Sequence, residues 1–172
     1  MWNSLLKFVI KNADNNIVDK NQLSTLLNIY SCYETSSTGC NIFHFASIGE
    51  SEVLLKILVQ VAPKELIHLA NYDGEMPLHW ACQRDNIKIL ELLFCVGVDI
   101  EATDRNGDTV LHWAVNASNY KVVEYLLEYK HNYSKVKNAE GLFPLDIAVN
   151  NGDDKMIDIF LKSNLYIYSI NV

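Results

Sequence analysis

Apolar residues recur along the chain in four short clusters with the same internal spacing. The clusters are Leu54-Leu55-x-Ile57-Leu58, Ile89-Leu90-x-Leu92-Leu93, Val122-Val123-x-Tyr125-Leu126 and Met156-Ile157-x-Ile159-Phe160. Apolar side chains at positions i, i+1, i+3 and i+4 form one broad face of an α-helix. The pattern therefore predicts four amphipathic helices, each with one buried side.

A second motif precedes each of these helices and keeps a period of 33 to 35 residues. Its landmarks are Gly39, Gly74, Gly107 and Gly141, followed five residues later by His44, His79, His112 and Asp146, and then by an alanine. A fixed period of this length is the sequence signature of stacked structural repeats. Each unit is predicted to contain a turn at the glycine, a short helix, a loop and a second helix.

The four copies of the motif are TGCNIFHFA, DGEMPLHWA, NGDTVLHWA and EGLFPLDIA. They resemble the T-P-L-H-x-A signature of the ankyrin repeat, which has a period of about 33 residues. The resemblance runs from about Ser36 to Asn164 and implies an all-α solenoid of stacked helix–turn–helix units with short β-turn fingers. It divides the chain into repeats at about 36–70, 71–103, 104–137 and 138–172, and it implies structural roles for the glycines and histidines. Asp146, which replaces the histidine, is predicted to be a local capping variant.

The two ends of the chain fit the repeat pattern less well. Residues 1–35 are about one repeat long, and their apolar positions predict a degenerate N-terminal capping repeat or, alternatively, a separate helical hairpin. The segment LYIYSINV at 165–172 predicts the start of another turn or a short strand. Whether the chain is a fragment of a longer polypeptide stays open.

The net charge of −7 limits the classes of partner. Nucleic-acid binding requires clustered Lys and Arg, so nucleic acid is not expected as a partner. A protein with a basic surface is favoured, although the acidity is equally consistent with a contribution to solubility alone.

Several absences indicate an intracellular protein. The sequence has no secretory signal, no C-x-x-C pair and no apolar run of about 18 residues that would insert into a membrane. We therefore expect a monomer in the cytoplasm, with the nucleus not excluded, and reduced thiols. Cys82 and Cys95 occupy helical positions that are predicted to be core or partly buried.

The sequence carries no pattern of a catalytic or metal site. The phosphate-binding loop, the G-x-S-x-G turn and the H-E-x-x-H motif are missing. The recurring histidines would lie one repeat apart, roughly 10 Å, whereas two ligands of one zinc ion lie within about 4 Å. We therefore expect no catalytic residue, no metal and no cofactor.

Trp80 and Trp113 follow the histidine in two adjacent repeats. The favoured interpretation is that both indoles pack between repeats. The alternative makes them partly exposed aromatic side chains on the inner wall, where tryptophan contributes disproportionately to binding.

The resemblance also implies where a partner binds, because ankyrin proteins bind through the turn tips and the exposed side of the first helices. These surfaces together form the concave face. The turn positions are Tyr72, Asp73, Glu75, Arg105, Asn106, Asp108, Ala139, Glu140 and Leu142. The helix positions are Ile48, Gln83, Arg84, Asn116, Ala117, Asn150 and Asn151. The apolar members Ile48, Tyr72 and Leu142 are candidate anchors.

Three functional hypotheses follow from these patterns. The first is a non-catalytic protein–protein interaction module that binds a protein on its concave face. The alternative is an ankyrin segment of a larger protein, such as an S-acyltransferase or an acyl-CoA-binding protein, because the paired L-H-W-A copies are similar to those in some members of these groups. The third is a structural spacer without a saturable partner.

Overall fold

A computed structural model describes residues 8, 9, 11, 12, 21, 33, 35–129 and 134–170, and for 164–170 it describes the backbone alone. Within these residues the secondary structure consists of helices in consecutive pairs, which confirms the all-α class. The pairs are α1 (Ile42–Ile48) and α2 (Glu52–Val61), α3 (Pro77–Ala81) and α4 (Ile87–Cys95), α5 (Val110–Asn116) and α6 (Tyr120–Tyr129), and α7 (Pro144–Asn150) and α8 (Asp154–Ile170). A 3₁₀-helix at Lys64–His68 lies in the first connection between pairs.

The helix pairs stack side by side in two layers. The first helices of each pair, α1, α3, α5 and α7, contact one another in sequence and form the inner layer. The second helices, α2, α4, α6 and α8, do the same in the outer layer. One amphipathic pair cannot bury its apolar face alone, so stacking supplies the core. The predicted solenoid of repeated units is confirmed.

The core lies between the two layers and along the stack. The apolar clusters of the outer helices supply much of it, including Leu54, Leu90 and Leu126, which are completely buried. Alanines of the inner helices, such as Ala81 and Ala114, are also completely buried. Because alanine has a small side chain, neighbouring helices approach closely at these positions.

The first turn of each inner helix is closed by the side chain at the histidine position. The backbone N–H groups of Met76 and Thr109 donate to Nδ1 of His79 and His112, at 3.0 and 3.1 Å. A carboxylate accepts the same bond in the fourth unit, where the Phe143 N–H lies 2.8 Å from Oδ2 of Asp146. This contact fits the capping variant expected from the sequence.

The turns that precede the inner helices project as fingers and bond to one another. The N–H of Arg105 donates to the carbonyl of Asp73 at 2.9 Å, and the N–H of Ala139 donates to the carbonyl of Asn106 at 2.8 Å. The N–H of Tyr72 likewise donates to the carbonyl of Thr38 at 3.0 Å, so each of these fingers is hydrogen-bonded to the preceding one. The fingers therefore form a continuous wall along one side of the inner helices.

Two expectations from the sequence are wrong. Residues 165–170 continue helix α8 instead of forming a turn or a strand. A helix elongates at little cost once it is nucleated, and no glycine or proline interrupts this segment. Cys95 is exposed rather than partly buried. It lies four residues after Glu91 on the solvent-facing stripe of α4, because positions i and i+4 share one face of a helix.

The proposed capping repeat at 1–35 lies largely outside the described residues. Phe8 and Val9 are described, and both are buried against the rest of the core.

Candidate functional site

A groove with a volume of about 800 Å³ runs between the fingers and the inner helices of the second, third and fourth units. Its wall contains finger residues, of which Arg105 and Glu140 are exposed, and the C-terminal residues of α5 and α7. Its floor includes Trp113 and Ile147. The groove therefore lies where the fingers face the inner layer of helices.

Most of the residues expected at a binding surface lie along this groove. From the fingers these are Arg105, Asn106, Asp108, Ala139, Glu140 and Leu142, and from the inner helices and the loops that follow them Gln83, Asn116, Ala117, Asn150 and Asn151. Ile48, Tyr72, Asp73, Glu75 and Arg84 do not line it. The finger of the second unit and the inner helix of the first unit therefore lie apart from the groove.

The residues outside the groove differ in their availability. Tyr72 is 61% exposed at the tip of its finger, and Asp73 and Arg84 are exposed as well. The Glu75 carboxylate already accepts hydrogen bonds from Asn71 Nδ2 at 2.7 Å and from Trp80 Nε1 at 2.8 Å. These bonds hold the Glu75 side chain against Asn71 and Trp80.

Sequence reasoning missed the residues that shape each finger. Oδ1 of Asp104 accepts from the N–H groups of Asn106 and Asp108, at 2.8 and 2.9 Å. Asn71 and Asn138 make the equivalent pair of bonds in their own fingers. The signal is visible in the sequence, because an Asn or Asp stands three residues before the glycine in these repeats.

Asp104 and Asn138, which shape their fingers, also belong to the wall of the groove. Asn138 in addition holds the carboxylate of Asp108. Asn138 Nδ2 donates to Oδ1 of Asp108 across neighbouring fingers at 2.8 Å. Among the charged residues that line the groove, Arg105 is the cation, while Asp104, Asp108 and Glu140 are anions. The groove is therefore weakly acidic, like the chain as a whole.

Each tryptophan packs against the preceding repeat and bonds to its own finger. The Trp80 ring lies edge-on to the rings of His44 and Phe45, with centroids 5.5 and 5.4 Å apart. The Trp113 ring lies edge-on to His79 at 5.8 Å, and its Nε1 donates to Oδ2 of Asp104 at 3.1 Å. Trp113 thus packs between repeats and also faces the groove, so its two interpretations are compatible.

Two of the recurring histidines, His44 and His112, join their own repeat to the next one through Nε2. Nε2 of His44 donates to the Glu75 carbonyl at 2.9 Å, and Nε2 of His112 donates to the Leu142 carbonyl at 3.1 Å. Nε2 of His79 makes no hydrogen bond of ordinary geometry within the described residues, although the Asp108 and Ala102 carbonyls lie near it. Burial lowers the pKa of His44 to about 4. It also lowers the pKa of His79. The imidazole of His44 is therefore neutral at pH 7.

The described residues contain no cluster of three or more His, Cys, Asp or Glu side chains arranged for a metal ion. Burial raises the pKa of the Cys82 thiol, so this cysteine stays protonated at neutral pH. None of the helices in the described ranges is long and apolar enough to cross a membrane. The groove offers hydrogen-bonding side chains, a few charges and a small apolar floor, and all of these groups can contact a bound molecule.

Comparison with known proteins agrees with the architecture. The family model for ankyrin repeats in many copies matches residues 78–127 and 111–161. Residues 78–161 of this chain therefore consist of ankyrin repeats. Ankyrin repeats are a protein–protein interaction module, so the predicted fold and broad function class are confirmed.

One relative is similar over part of this ankyrin-repeat chain. The nuclear factor NF-kappa-B p100 subunit of Xenopus laevis is 31% identical over 70 residues, which is 39% of this chain. The match spans 7% of the length of that relative. The similarity therefore concerns a small part of a much longer protein.

Proposed function

We propose that this chain is a non-catalytic module that binds a protein partner in the groove between its fingers and inner helices. The observation that carries the proposal is the groove itself, which spans three repeats and gathers eleven of the residues expected at a binding surface. Leu142 and Ile147 are only half-buried there, so apolar surface is available beside exposed polar groups. A partner that covers the groove gains both apolar burial and hydrogen bonds.

The charge of the module favours a partner with a basic surface. The net charge is −7, and Asp108 and Glu140 are acidic groups in the groove wall. Such complementarity raises the association rate and fixes the orientation of the partner more than it raises affinity. We expect the module to act as a monomer in the cytoplasm or the nucleus.

A pull-down from a lysate of the source organism tests this proposal with paired variants. The groove variant carries Glu140→Lys and Leu142→Ala. The control carries Asp158→Lys and Leu161→Ala on the outer helix α8, where both side chains are exposed. The two variants change the net charge equally and remove one leucine each. Circular dichroism verifies that both are folded.

Proteins that are retained by the intact chain and the control but lost from the groove variant would support binding in the groove. A protein retained equally by all three chains would place the binding surface elsewhere. Purified partner would then give dissociation constants, and we expect the groove variant to bind about 10- to 100-fold more weakly, because an apolar contact is lost and an acidic group that faces the basic partner is reversed in charge.

The second candidate is that these repeats are one segment of a longer polypeptide. It is favoured by the similarity to the Xenopus p100 subunit, in which the matched region is 7% of the whole protein. Sequencing of the full transcript in the source organism would decide between a separate module and a segment.

A further inference from the structure

The asparagines of the described chain fall into two groups by hydrogen bonding. Those outside the groove use their amides within the molecule, as Asn41 does with the Leu66 carbonyl at 2.7 Å and Asn119 with the Cys82 carbonyl at 2.6 Å. Among the asparagines whose side chains the structure describes, four make no side-chain hydrogen bond: Asn106, Asn116, Asn150 and Asn151. All four line the groove and are exposed. The free amides are therefore concentrated on one surface.

Three free amides occupy the same position in successive repeats. Gln83, Asn116 and Asn150 each stand four residues after the position of the signature histidine. All three are exposed in the groove, and Asn116 and Asn150 are the last residues of α5 and α7. Because the inner helices stack at roughly 8–10 Å, these side chains form a row with that spacing.

A row of primary amides matches the chemistry of a peptide backbone. A carboxamide presents one acceptor and two donor hydrogens and pairs with a peptide N–H and C=O at once. Helices and internal strands have already paired their backbone groups, whereas an extended segment leaves them open. The row therefore favours an extended segment over a folded domain as the occupant.

The spacing of the row also fits an extended chain. A polyproline II helix rises about 3.1 Å per residue, so three residues span about 9 Å and every third residue faces the same side. A segment that runs along the stack would thus bring an equivalent peptide group to each amide in turn. In a β-strand every second residue faces the same side, so equivalent peptide groups would not recur at the spacing of the amide row.

The floor and wall of the groove between the amides offer contacts to the side chains of a bound segment. Trp113, Leu142 and Ile147 are half-buried, and the indole of Trp113 is fixed by its hydrogen bond to Asp104 at 3.1 Å. Glu140 is an exposed carboxylate on the finger wall. These groups fit an apolar side chain on the floor and a basic side chain beside the wall.

We propose that the groove binds an extended, polyproline-II-like segment of a partner protein, with its backbone hydrogen-bonded to Gln83, Asn116 and Asn150. One apolar side chain contacts Trp113 and one basic side chain lies near Glu140. This inference rests on the proposed function and adds the conformation and chemistry of the occupant.

A displayed library of random 12-residue peptides, selected on the intact chain, supplies the probe. Synthetic peptides from the selection are then measured by fluorescence polarisation against single-site variants. Asn116→Ala and Asn150→Ala should each weaken binding about 3- to 10-fold, the effect of one lost hydrogen bond. Gln60→Ala removes an exposed amide from the outer helix α2 and is the matched control, with a change below about 2-fold.

Backbone recognition is tested by N-methylation of single peptide bonds in the selected peptide. Methylation at the residue facing Asn116 should weaken binding to the intact chain and cause no further loss with Asn116→Ala, because both changes remove the same hydrogen bond. Asn116→Gln, which keeps the amide, should restore part of the affinity. Unchanged thermal unfolding of each variant excludes loss of folding as the cause.

Three outcomes would overturn the inference. These are the absence of enriched peptides, enriched peptides whose affinity is insensitive to the asparagine variants, and N-methylation losses that multiply with Asn116→Ala. If the lysate partner is still lost with Glu140→Lys and Leu142→Ala, the groove binds a folded surface and the proposed function stands. If neither assay depends on the groove, both proposals fail.

Discussion

Buried polar side chains determine the local backbone of this protein. Asp104 is nearly inaccessible to solvent, yet each of its carboxylate oxygens accepts a hydrogen bond from the finger or from the indole behind it. Asn71 and Asn138 accept the equivalent hydrogen bonds from their own fingers with an amide oxygen. Each finger thus needs a side-chain acceptor at this position, whether charged or neutral, because a buried N–H without a partner costs about 1–3 kcal/mol.

The imidazole of His44, at the histidine position of the first unit, is neutral for a related reason. Nδ1 of His44 accepts from the Asn41 N–H, and Nε2 carries the proton that reaches the next repeat. Protonation of Nδ1 would break the first bond and place a charge in the core. Burial accordingly lowers the pKa of His44 to about 4.

This shift predicts a loss of stability in mild acid. The folded pKa of His44 is about 4, below the unfolded value near 6.5. Its contribution is therefore complete above about pH 6.5 and is lost as the pH falls towards 4. From pH 7 to pH 5 we expect the free energy of unfolding to fall by about 2 kcal/mol on account of His44, with a further loss in the same direction from His79.

Urea unfolding followed by circular dichroism at both pH values measures this change. His44→Gln is the control, because an amide does not titrate. The variant should be less stable at pH 7 and should lose less stability between pH 7 and pH 5. An identical pH dependence in both proteins would show that His44 is not the responsible group.

At the scale of elements, the fingers act as a bonded row rather than as independent turns. Gly74 and Gly107 have φ of +78° and +74°, a region that side chains rarely enter. A Cβ atom on Gly107 would lie 2.9 Å from the Ala139 nitrogen in the next finger. Glycine at this position therefore permits both the turn and the contact between fingers.

Gly107 and Gly141 provide a matched test of this contact. Both have positive φ, +74° and +80°, but a Cβ atom on Gly141 would meet no atom of the described residues within 4 Å. Gly141→Ala should cost about 1–2 kcal/mol, the strain of a left-handed residue. Gly107→Ala should cost at least about 1 kcal/mol more, because the next finger must also move. Equal losses in urea unfolding would mean that contact between fingers adds nothing to stability.

At the scale of the whole molecule, stability is shared between neighbouring repeats. Helix α5 contacts both α3 and α7 in the inner layer, whereas α7 contacts α5 as its described inner-layer neighbour. Asp146 also lacks the ring N–H with which His44 and His112 reach the following repeat. The fourth unit is therefore bound to the stack mainly on one side within the described chain.

This asymmetry predicts different costs for the same substitution in two repeats. Ala114 and Ala148 are both completely buried. Ala114→Leu should destabilise the protein by about 2–3 kcal/mol, because overpacking separates α5 from two neighbours. Ala148→Leu should cost less and should lower hydrogen-exchange protection chiefly in α7 and α8. A larger loss for Ala148→Leu would contradict a stability that is summed over neighbouring interfaces.

The sequence by itself determined the repeat, its phase and the class of fold. The spacing of Gly74, His79 and the apolar pairs depends on contacts within about ten residues, and such local rules can be read from the order of residues. The concave face was also predicted, and its members from Arg105 to Asn151 line one groove.

Only the tertiary structure decided which of those side chains are already hydrogen-bonded within the molecule. The sequence shows Glu75 and Asn116 alike as polar groups on one face, but Glu75 is held by Trp80 while Asn116 has no partner within the described chain. Likewise Ile147 faces the groove and Cys95 faces solvent. The physical reason is that a side chain is occupied or available according to neighbours that the fold brings close, and the spacing of residues along the chain does not record those neighbours.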